Sequence, residues 1–253
     1  MAEVRTFGET GPALVFLHGA GGLFPSEPML EALGASHRIF APVWPGYGED
    51  TADEQRLKDM LDFALHGWDV VDGLGLDEKP VLVGHSRGGM IAAEMAAIAR
   101  HDLRSLVLID AAGLWDDDEP IPDIFAMLPF ELAEVLFADA AAGEKILTAG
   151  MDFSDDAALT TFMIQRARRL GMAGKLLFPV PSRHVERRLH RVNVPTLVVW
   201  GEQDRLIPPS YAQRWAELIA GATVETIADA GHMLPYEQPE AAAAAIGAFV
   251  SRA

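Results

Sequence analysis

A serine flanked by glycines is the residue of this sequence best placed to act as a nucleophile. Residues 81–90 read VLVGHSRGGM, so a β-prone apolar run leads to Ser86, which lies between Gly84 and Gly88. The next segment, MIAAEMAAIA at 90–99, is rich in helix formers and contains no breaker. Ser86 therefore falls at a predicted strand-to-helix turn, where the glycines keep side chains away from the neighbouring backbone. Its hydroxyl is expected to project from the sheet, next to a helix N-terminus, where it could act as a nucleophile.

A nucleophilic serine needs a base, because its hydroxyl is almost fully protonated at neutral pH. Of the eight histidines, His232 lies in a loop straight after the last strand-like run and before a C-terminal helix. Like Ser86, His232 follows a predicted strand, so both residues should lie at the same edge of the predicted sheet. His18, in a glycine-rich loop, and His85, beside Ser86 with its side chain directed elsewhere, are poorly placed to take the proton. We therefore predict that His232 is the base.

Two aspartates compete to orient that histidine. Asp204, in VVWGEQDRLIPP, follows the penultimate strand-like run, and Asp110 ends SLVLIDA. Both could reach the active-site edge. We favour Asp204, because the loop there is long enough for its carboxylate to turn back toward His232, and we assign Asp110 to local capping.

Acyl transfer also needs two preorganised N–H donors for the developing oxyanion. The glycines of HGAGG, residues 18–22, free the backbone to present amides. We expect the amide of Ala20 to meet that of Arg87 over one oxygen. The alternative use of a glycine-rich loop, cradling phosphate, lacks support, since this loop has no lysine and no GK[ST].

The elements that must position these residues are strand-like runs separated by helix-length segments. Such alternation predicts an α/β fold, a mostly parallel twisted sheet with helices on both faces and ligands at the carboxyl ends of the strands. The runs are ALVFLHG (13–19), RIFAPVW (38–44), VLVGHS (81–86), SLVLIDA (105–111), TLVVWGE (196–202) and TVETIAD (223–229).

The alternation lapses between residues 114 and 190, where helices such as PDIFAMLPFELAEVLFADAAAG and DDAALTTFMIQRARRLG are predicted. We interpret 114–190 as a helical cap inserted between two parts of the core, 1–113 and 191–253. Residues 114–159 hold twelve acids against Lys145, whereas 160–191 hold seven arginines and Lys175 against Glu186. Either the two halves neutralise each other or the basic half forms an anion-attracting pocket wall.

The cap also offers apolar side chains for a pocket, although most are expected to pack the cap onto the core. The candidates are Trp115, Phe125, Met127, Leu128, Phe130, Phe162 and Met163.

Composition limits the partners. The chain has 253 residues, 50% of them hydrophobic, enough for a sizeable core. Its net charge of -17 argues against binding nucleic acid or anionic membranes, so the expected partner is a small molecule. The lack of cysteine excludes disulfides, thiol catalysis and thiolate metal sites. With no apolar signal segment in MAEVRTFGETG, we expect a cytoplasmic protein, as a monomer or small homo-oligomer.

Taken together, the chain resembles the α/β-hydrolase fold superfamily over nearly its whole length, and in particular its carboxylesterase-like members with a serine nucleophile and a helical cap. The motifs that carry the resemblance stand in the family's order: HGAGG, PGYG at 45–48, GHSRGG at 84–89, GEQDRLIPP at 201–209 and AGHMLPYEQPE at 230–240. The resemblance implies a catalytic triad of Ser86, Asp204 and His232, an oxyanion hole from the Ala20 and Arg87 amides, and no metal or organic cofactor. Few residues precede ALVFLHG, so the leading hairpin must be short.

The function that this resemblance implies is hydrolysis of small carboxylic esters through an acyl-enzyme. Dehalogenases and epoxide hydrolases of this fold need a carboxylate nucleophile, and this position is Ser86. The cap segment also has no tyrosine to open an epoxide. Two alternatives with the same triad stay open, hydrolysis of a carbon-carbon bond in ring-fission diketo acids and perhydrolysis. A third, of another class, is a ligand-binding receptor with very slow turnover.

Overall fold

The fold is built on one sheet of seven strands, seen in a computed structural model that describes residues 3–48, 54–151, 154–179 and 184–253. In chain order the strands are β1 (Val4–Phe7), β2 (Ala13–Leu17), β3 (Arg38–Pro42), β4 (Val81–His85), β5 (Ser105–Ile109), β6 (Thr196–Gly201) and β7 (Thr223–Ile227). Their order across the sheet is β1-β3-β2-β4-β5-β6-β7.

All neighbouring strands run parallel except β1, which pairs antiparallel with β3. Each of the six predicted runs contains one of the strands β2 to β7, so the α/β prediction is confirmed. The short strand β1 precedes these runs and lies at the edge of the sheet, where it pairs with β3 and not with β2, so the expected leading hairpin is not formed. Parallel pairing brings the carboxyl ends of β4, β5, β6 and β7 to one edge of the sheet.

Helices cover both faces of this sheet. Those of the core are α1 (Pro28–Leu33), α2 (Met60–Gly73), α3 (Arg87–Ile98), α8 (Ser210–Leu218), α9 (Leu234–Glu237) and α10 (Pro239–Val250). Alternate residues of each central strand face opposite layers: Val81 and Val83 pack with α1 and α10, whereas Leu82 packs with α2, α3 and α8. Strands buried on both faces explain the nearly continuous apolar runs in the sequence.

Between β5 and β6 the described elements are α4 (Pro129–Leu136), α5 (Ala140–Leu147), α6 (Asp156–Leu177) and α7 (Glu186–Leu189). The first predicted cap helix is therefore two shorter ones. Pro129 begins α4, as suits a residue without an N–H donor, and the Asp139 carboxylate accepts hydrogen bonds from the first amides of α5. The second predicted helix is longer than expected, since α6 continues to Leu177.

The last strand, β7, is more exposed than the sequence predicts. In β7 the residues from Thr223 to Thr226 are exposed, and Val224 is 38% accessible. The reason is topological, because β7 lies at the sheet edge and pairs only with β6.

Candidate active site

Ser86 lies at the sharp turn between β4 and α3. Its backbone has φ 54° and ψ -119°, a conformation that is costly for a residue with a side chain. The turn is possible because the residues two positions before and after Ser86, Gly84 and Gly88, have no side chains. A Cβ on Gly88 would lie 1.9 Å from the carbonyl oxygen of Leu17, and one on Gly84 would lie 2.4 Å from that of Gly88. The glycines thus allow close contact with β2 and α3, as the sequence predicts.

The structure brings Ser86 and His232 together across 146 positions of the chain. His232 lies beyond β7, just before α9, and its Nε2 is 2.8 Å from the Ser86 hydroxyl oxygen. Both side chains are almost fully buried, with 7% of Ser86 and 2% of His232 accessible. At this distance the imidazole can accept the proton of the hydroxyl.

Asp204 is the third member of this group. Its Oδ2 is 2.8 Å from Nδ1 of His232, and its Oδ1 accepts hydrogen bonds from the amides of Leu206 and Ile207, both at 2.8 Å. These two amides fix the carboxylate in the loop between β6 and α8. With Nδ1–H donating to Asp204, Nε2 of His232 is the free acceptor that faces Ser86.

Asp110, the competing aspartate, is also fully buried, but its hydrogen-bond partner is not His232. Its Oδ1 accepts a hydrogen bond from the Gly201 amide at 2.8 Å, which joins the ends of β5 and β6. Local capping was therefore the wrong role for this side chain, because its partner lies on a neighbouring strand 91 residues away. Burial, together with the nearby Asp204, raises the pKa of the Asp110 carboxyl well above its usual value.

Of the two predicted oxyanion donors, one lines the same cavity as Ser86 and the other follows Ser86 in the chain. Ala20 lines the cavity in front of Ser86. Arg87 is the first residue of α3, so its amide has no partner inside the helix. The Arg87 side chain turns away into the core, where its guanidinium carbon is 4.7 Å from the ring centre of Tyr47.

Two buried histidines support this site, and sequence reasoning did not assign them these roles. Nδ1–H of His18 donates to the Gly19 carbonyl at 2.8 Å, within the HGAGG loop. Nε2–H of His85 donates to the backbone carbonyl of His232, also at 2.8 Å. Burial lowers the pKa of both rings, that of His85 to about 3, so both are neutral. The only available signal was their position beside the candidate motifs.

A cavity of about 200 Å³ opens in front of Ser86. Its wall is largely apolar and includes Trp115 and Phe162 of the cap candidates. Of the others, Phe125 packs edge-on against Phe178 at 5.7 Å, and Met127 is half-buried away from the cavity wall. Leu128 and Met163 are exposed, and the Phe130 side chain lies outside the described residues.

No group of three or more His, Cys, Asp or Glu side chains in the part of the chain that the structure describes is arranged to hold a metal ion. Likewise, none of the described helices combines the length and the apolar character that crossing a membrane requires.

Comparison with curated proteins finds relatives in several hydrolase and acyltransfer classes. The chain is 26% identical to Lipase 3 of Moraxella sp. (strain TA144) over 234 residues, 88% of this chain and 72% of the lipase. It is 25% identical to the 2-hydroxy-6-oxo-6-(2'-aminophenyl)hexa-2,4-dienoic acid hydrolase of Metapseudomonas resinovorans, over 96% of this chain and 85% of that enzyme. A third relative is the dihydrolipoyllysine-residue acetyltransferase component of the acetoin cleaving system of Pseudomonas putida, 32% identical over 92% of this chain. The match spans only 62% of that longer protein.

A solved structure and a family model point to the same family as these relatives. A thermophilic esterase from Thermogutta terrifontis superposes with a TM-score of 0.72 at 25% identity, over 99% of this chain and 93% of the esterase. The sequence model of the alpha/beta hydrolase family matches residues 14–245, which include the sheet except β1 and the first residue of β2. With nearly the full chain matched and the strand order in place, this protein belongs to the alpha/beta hydrolase family.

Proposed function

We propose that this protein is a serine hydrolase that cleaves small carboxylic esters through an acyl-enzyme on Ser86. The observation that carries the proposal is the continuous hydrogen-bonded line from the Ser86 hydroxyl through His232 to Asp204, with 2.8 Å at both contacts. This line ends at the wall of an apolar cavity. Such an arrangement is what activation of a serine toward a carbonyl requires.

The first half of the reaction forms the acyl-enzyme. As Oγ of Ser86 bonds to the ester carbonyl carbon, Nε2 of His232 accepts its proton. The amides of Ala20 and Arg87 donate hydrogen bonds to the resulting oxyanion. When the carbon-oxygen bond of the ester breaks, His232 returns the proton to the departing alcohol.

The second half releases the acid. His232 takes a proton from water, whose oxygen attacks the acyl carbonyl, and then protonates Oγ of Ser86 as the acid departs. In both halves Asp204 accepts a hydrogen bond from Nδ1 and stabilises the imidazolium that forms. Because two backbone amides hold the Asp204 carboxylate, little reorganisation is needed during the reaction.

The size of the cavity favours short substrates. A volume of about 200 Å³ is below the roughly 300–1,000 Å³ usual for drug-sized ligands. We propose that residues 114–190 act as a cap that limits acyl length over a core formed by 1–113 and 191–253. Short and medium acyl esters should therefore be better substrates than long-chain triglycerides.

Carbon-carbon bond hydrolysis is a second candidate. Two observations favour it: the cavity wall carries Arg166 and Arg169, and one relative is named as a dienoic acid hydrolase. Its substrates are anionic, which suits basic residues on a pocket wall.

One substrate series tests these alternatives. We expect multiple turnovers of p-nitrophenyl acetate and butyrate, slower turnover of the palmitate, and little activity on emulsified triolein or a ring-fission dienoate. Ser86→Ala should fold normally, by circular dichroism, yet lose at least about three orders of magnitude in kcat. Activity of this variant within about tenfold of the wild type would rule out the proposal. A dienoate preferred over the esters would favour the second candidate, and a single slow turnover would indicate a receptor.

The cytoplasmic location and the monomeric or small homo-oligomeric state stay predictions. Cell fractionation and size-exclusion chromatography with light scattering would test them.

A further inference from the structure

The charge of the cavity wall is opposite to that of the protein. The whole chain has a formal net charge of -17, with 37 acidic residues against 20 basic ones. The described residues that line the cavity nevertheless include two arginines, Arg166 and Arg169, and no aspartate or glutamate. A cavity of this sign inside an acidic protein attracts anions locally while the rest of the surface repels them.

Both arginines lie on one face of α6, since they are three residues apart in a helix. Arg169 is next to the reaction centre: its Nη1 donates to the carbonyl of Gly21 at 3.3 Å, and Gly21 follows the proposed oxyanion donor Ala20. Arg166 lies about 4.5 Å further along the helix axis, toward the start of α6. Both arginines line the cavity, Arg169 beside the loop that carries Ala20 and Arg166 three residues nearer the start of α6.

Other arginines of the same basic segment are neutralised by acids of the core. Arg168 pairs with Glu54, and Arg188 pairs with Glu94 on α3. By contrast, Arg166 has no hydrogen-bond or ion-pair partner among the residues that the structure describes. The partner of Arg169 there is a carbonyl oxygen, which carries no full charge.

Both guanidinium groups are half-buried, and neither has a counter-ion among the residues that the structure describes. Burial accordingly lowers the pKa of Arg169. A bound anion would offset this loss of solvation, and a guanidinium presents its donors in the geometry that a carboxylate accepts.

We propose that the substrate carries a carboxylate a few bonds from the scissile carbonyl, and that Arg166 and Arg169 bind it. This inference rests on the proposed ester hydrolysis at Ser86 and names its substrate class, monoesters of short dicarboxylic acids. The reacting carbonyl would lie at Ser86, while the free carboxylate extends along α6.

A matched pair of esters tests this inference. Mono-4-nitrophenyl glutarate and 4-nitrophenyl methyl glutarate have the same skeleton and differ by one negative charge. We expect the wild type to prefer the anionic ester in kcat/KM, after subtraction of spontaneous hydrolysis, and added salt to weaken the preference. Arg166→Gln and Arg169→Gln should each lower the ratio of anionic to neutral kcat/KM by about 10- to 100-fold, the effect of removing a hydrogen bond to a charged group. Arg187→Gln, at an exposed position of α7, is the control and should leave both rates unchanged.

Binding gives a readout that does not depend on catalysis. Calorimetric titration of Ser86→Ala with monomethyl glutarate should give tighter binding than with dimethyl glutarate, and Arg166→Gln in that background should remove the difference. Turnover of both esters without charge preference, or an equal loss of both in the arginine variants, would overturn this inference and leave the esterase proposal intact. If the protein binds the monoanion selectively but turns over neither ester, the esterase proposal fails while the carboxylate-binding site stands.

Discussion

Nε2 of His85 donates a hydrogen bond to the backbone carbonyl oxygen of His232, 2.8 Å away. The residue just before the nucleophile therefore holds the loop that carries the proposed base. Their rings are also close, with centroids 5.4 Å apart. Because burial and the neighbouring His232 lower the pKa of His85 to about 3, the ring stays a neutral donor over the physiological pH range.

We predict that His85→Leu lowers kcat by about 10- to 100-fold with little change in KM. The variant keeps a bulky side chain but leaves the buried His232 carbonyl without its donor, which costs about 1–3 kcal/mol and allows the imidazole to shift. Steady-state kinetics on p-nitrophenyl butyrate checks this. His101→Leu, at an exposed histidine, is the control and should match the wild type. Full activity of His85→Leu would show that the His232 loop needs no such support.

The two buried aspartates should respond differently to loss of charge. Asp204→Asn should lower kcat by up to roughly ten-thousandfold, because an amide at Asp204 favours the wrong tautomer of His232 and cannot stabilise the imidazolium. Asp110→Asn should be mild, since an asparagine oxygen can still accept from the Gly201 amide and its surroundings already favour the uncharged form. Single-turnover kinetics on both variants measures the effect. A severe Asp110→Asn and a mild Asp204→Asn would reverse the assignment.

The turn that carries Ser86 should not tolerate a side chain at Gly88. In Gly88→Ala the new Cβ would lie 1.9 Å from the Leu17 carbonyl oxygen, so β2 or α3 must move. We expect a loss of several kcal/mol in unfolding free energy, or failure to fold. Gly73→Ala in α2 is the control, because no atom lies within 4 Å of its new Cβ. Since alanine favours the helix, this variant should gain up to about 1 kcal/mol in unfolding free energy. Urea denaturation compares the two, and equal stabilities would contradict the steric argument.

The buried carboxyl of Glu27 should make stability fall as the pH rises. It accepts hydrogen bonds from the Phe24 amide and the Tyr236 hydroxyl, yet burial raises its pKa from 4.5 to about 7. Between these two values the folded protein binds more protons than the unfolded chain, so the stability due to this group is present below pH 4.5 and lost as the pH passes 7. The difference corresponds to roughly 3 kcal/mol in unfolding free energy.

Chemical denaturation at pH 5 and pH 8 tests this effect with Glu27→Gln, which removes the charge and keeps an acceptor oxygen. We expect the wild type to lose stability relative to this variant as the pH rises. Glu9→Gln, at an exposed glutamate, should show no such trend. A relative gain of the wild type toward pH 8 would mean that the folded protein prefers the charged form.

The sequence by itself determined the α/β architecture and the turn at Ser86. Both features depend on residues that are close together in the chain. The apolar runs indicate strands buried on both faces, and Gly84 and Gly88 indicate a turn that is too tight for side chains. The start of α4 was predictable in principle from Pro129, and the start of α5 from Asp139. The exposure of β7 was not predictable, because it follows from the order of the strands in the sheet.

Only the tertiary structure decided which groups meet at the site. Parallel strands bring Asp110 and Asp204 to the same edge of the sheet. The loop length in the sequence favoured Asp204, but only the packed structure shows its carboxylate at His232 and that of Asp110 at the Gly201 amide. The same holds for the link from His85 to His232 and for the positions of Arg166 and Arg169 on the cavity wall. These contacts join residues far apart in the chain. Their distances of a few ångströms depend on how β4, β6 and α6 pack together, which no local pattern of residues encodes.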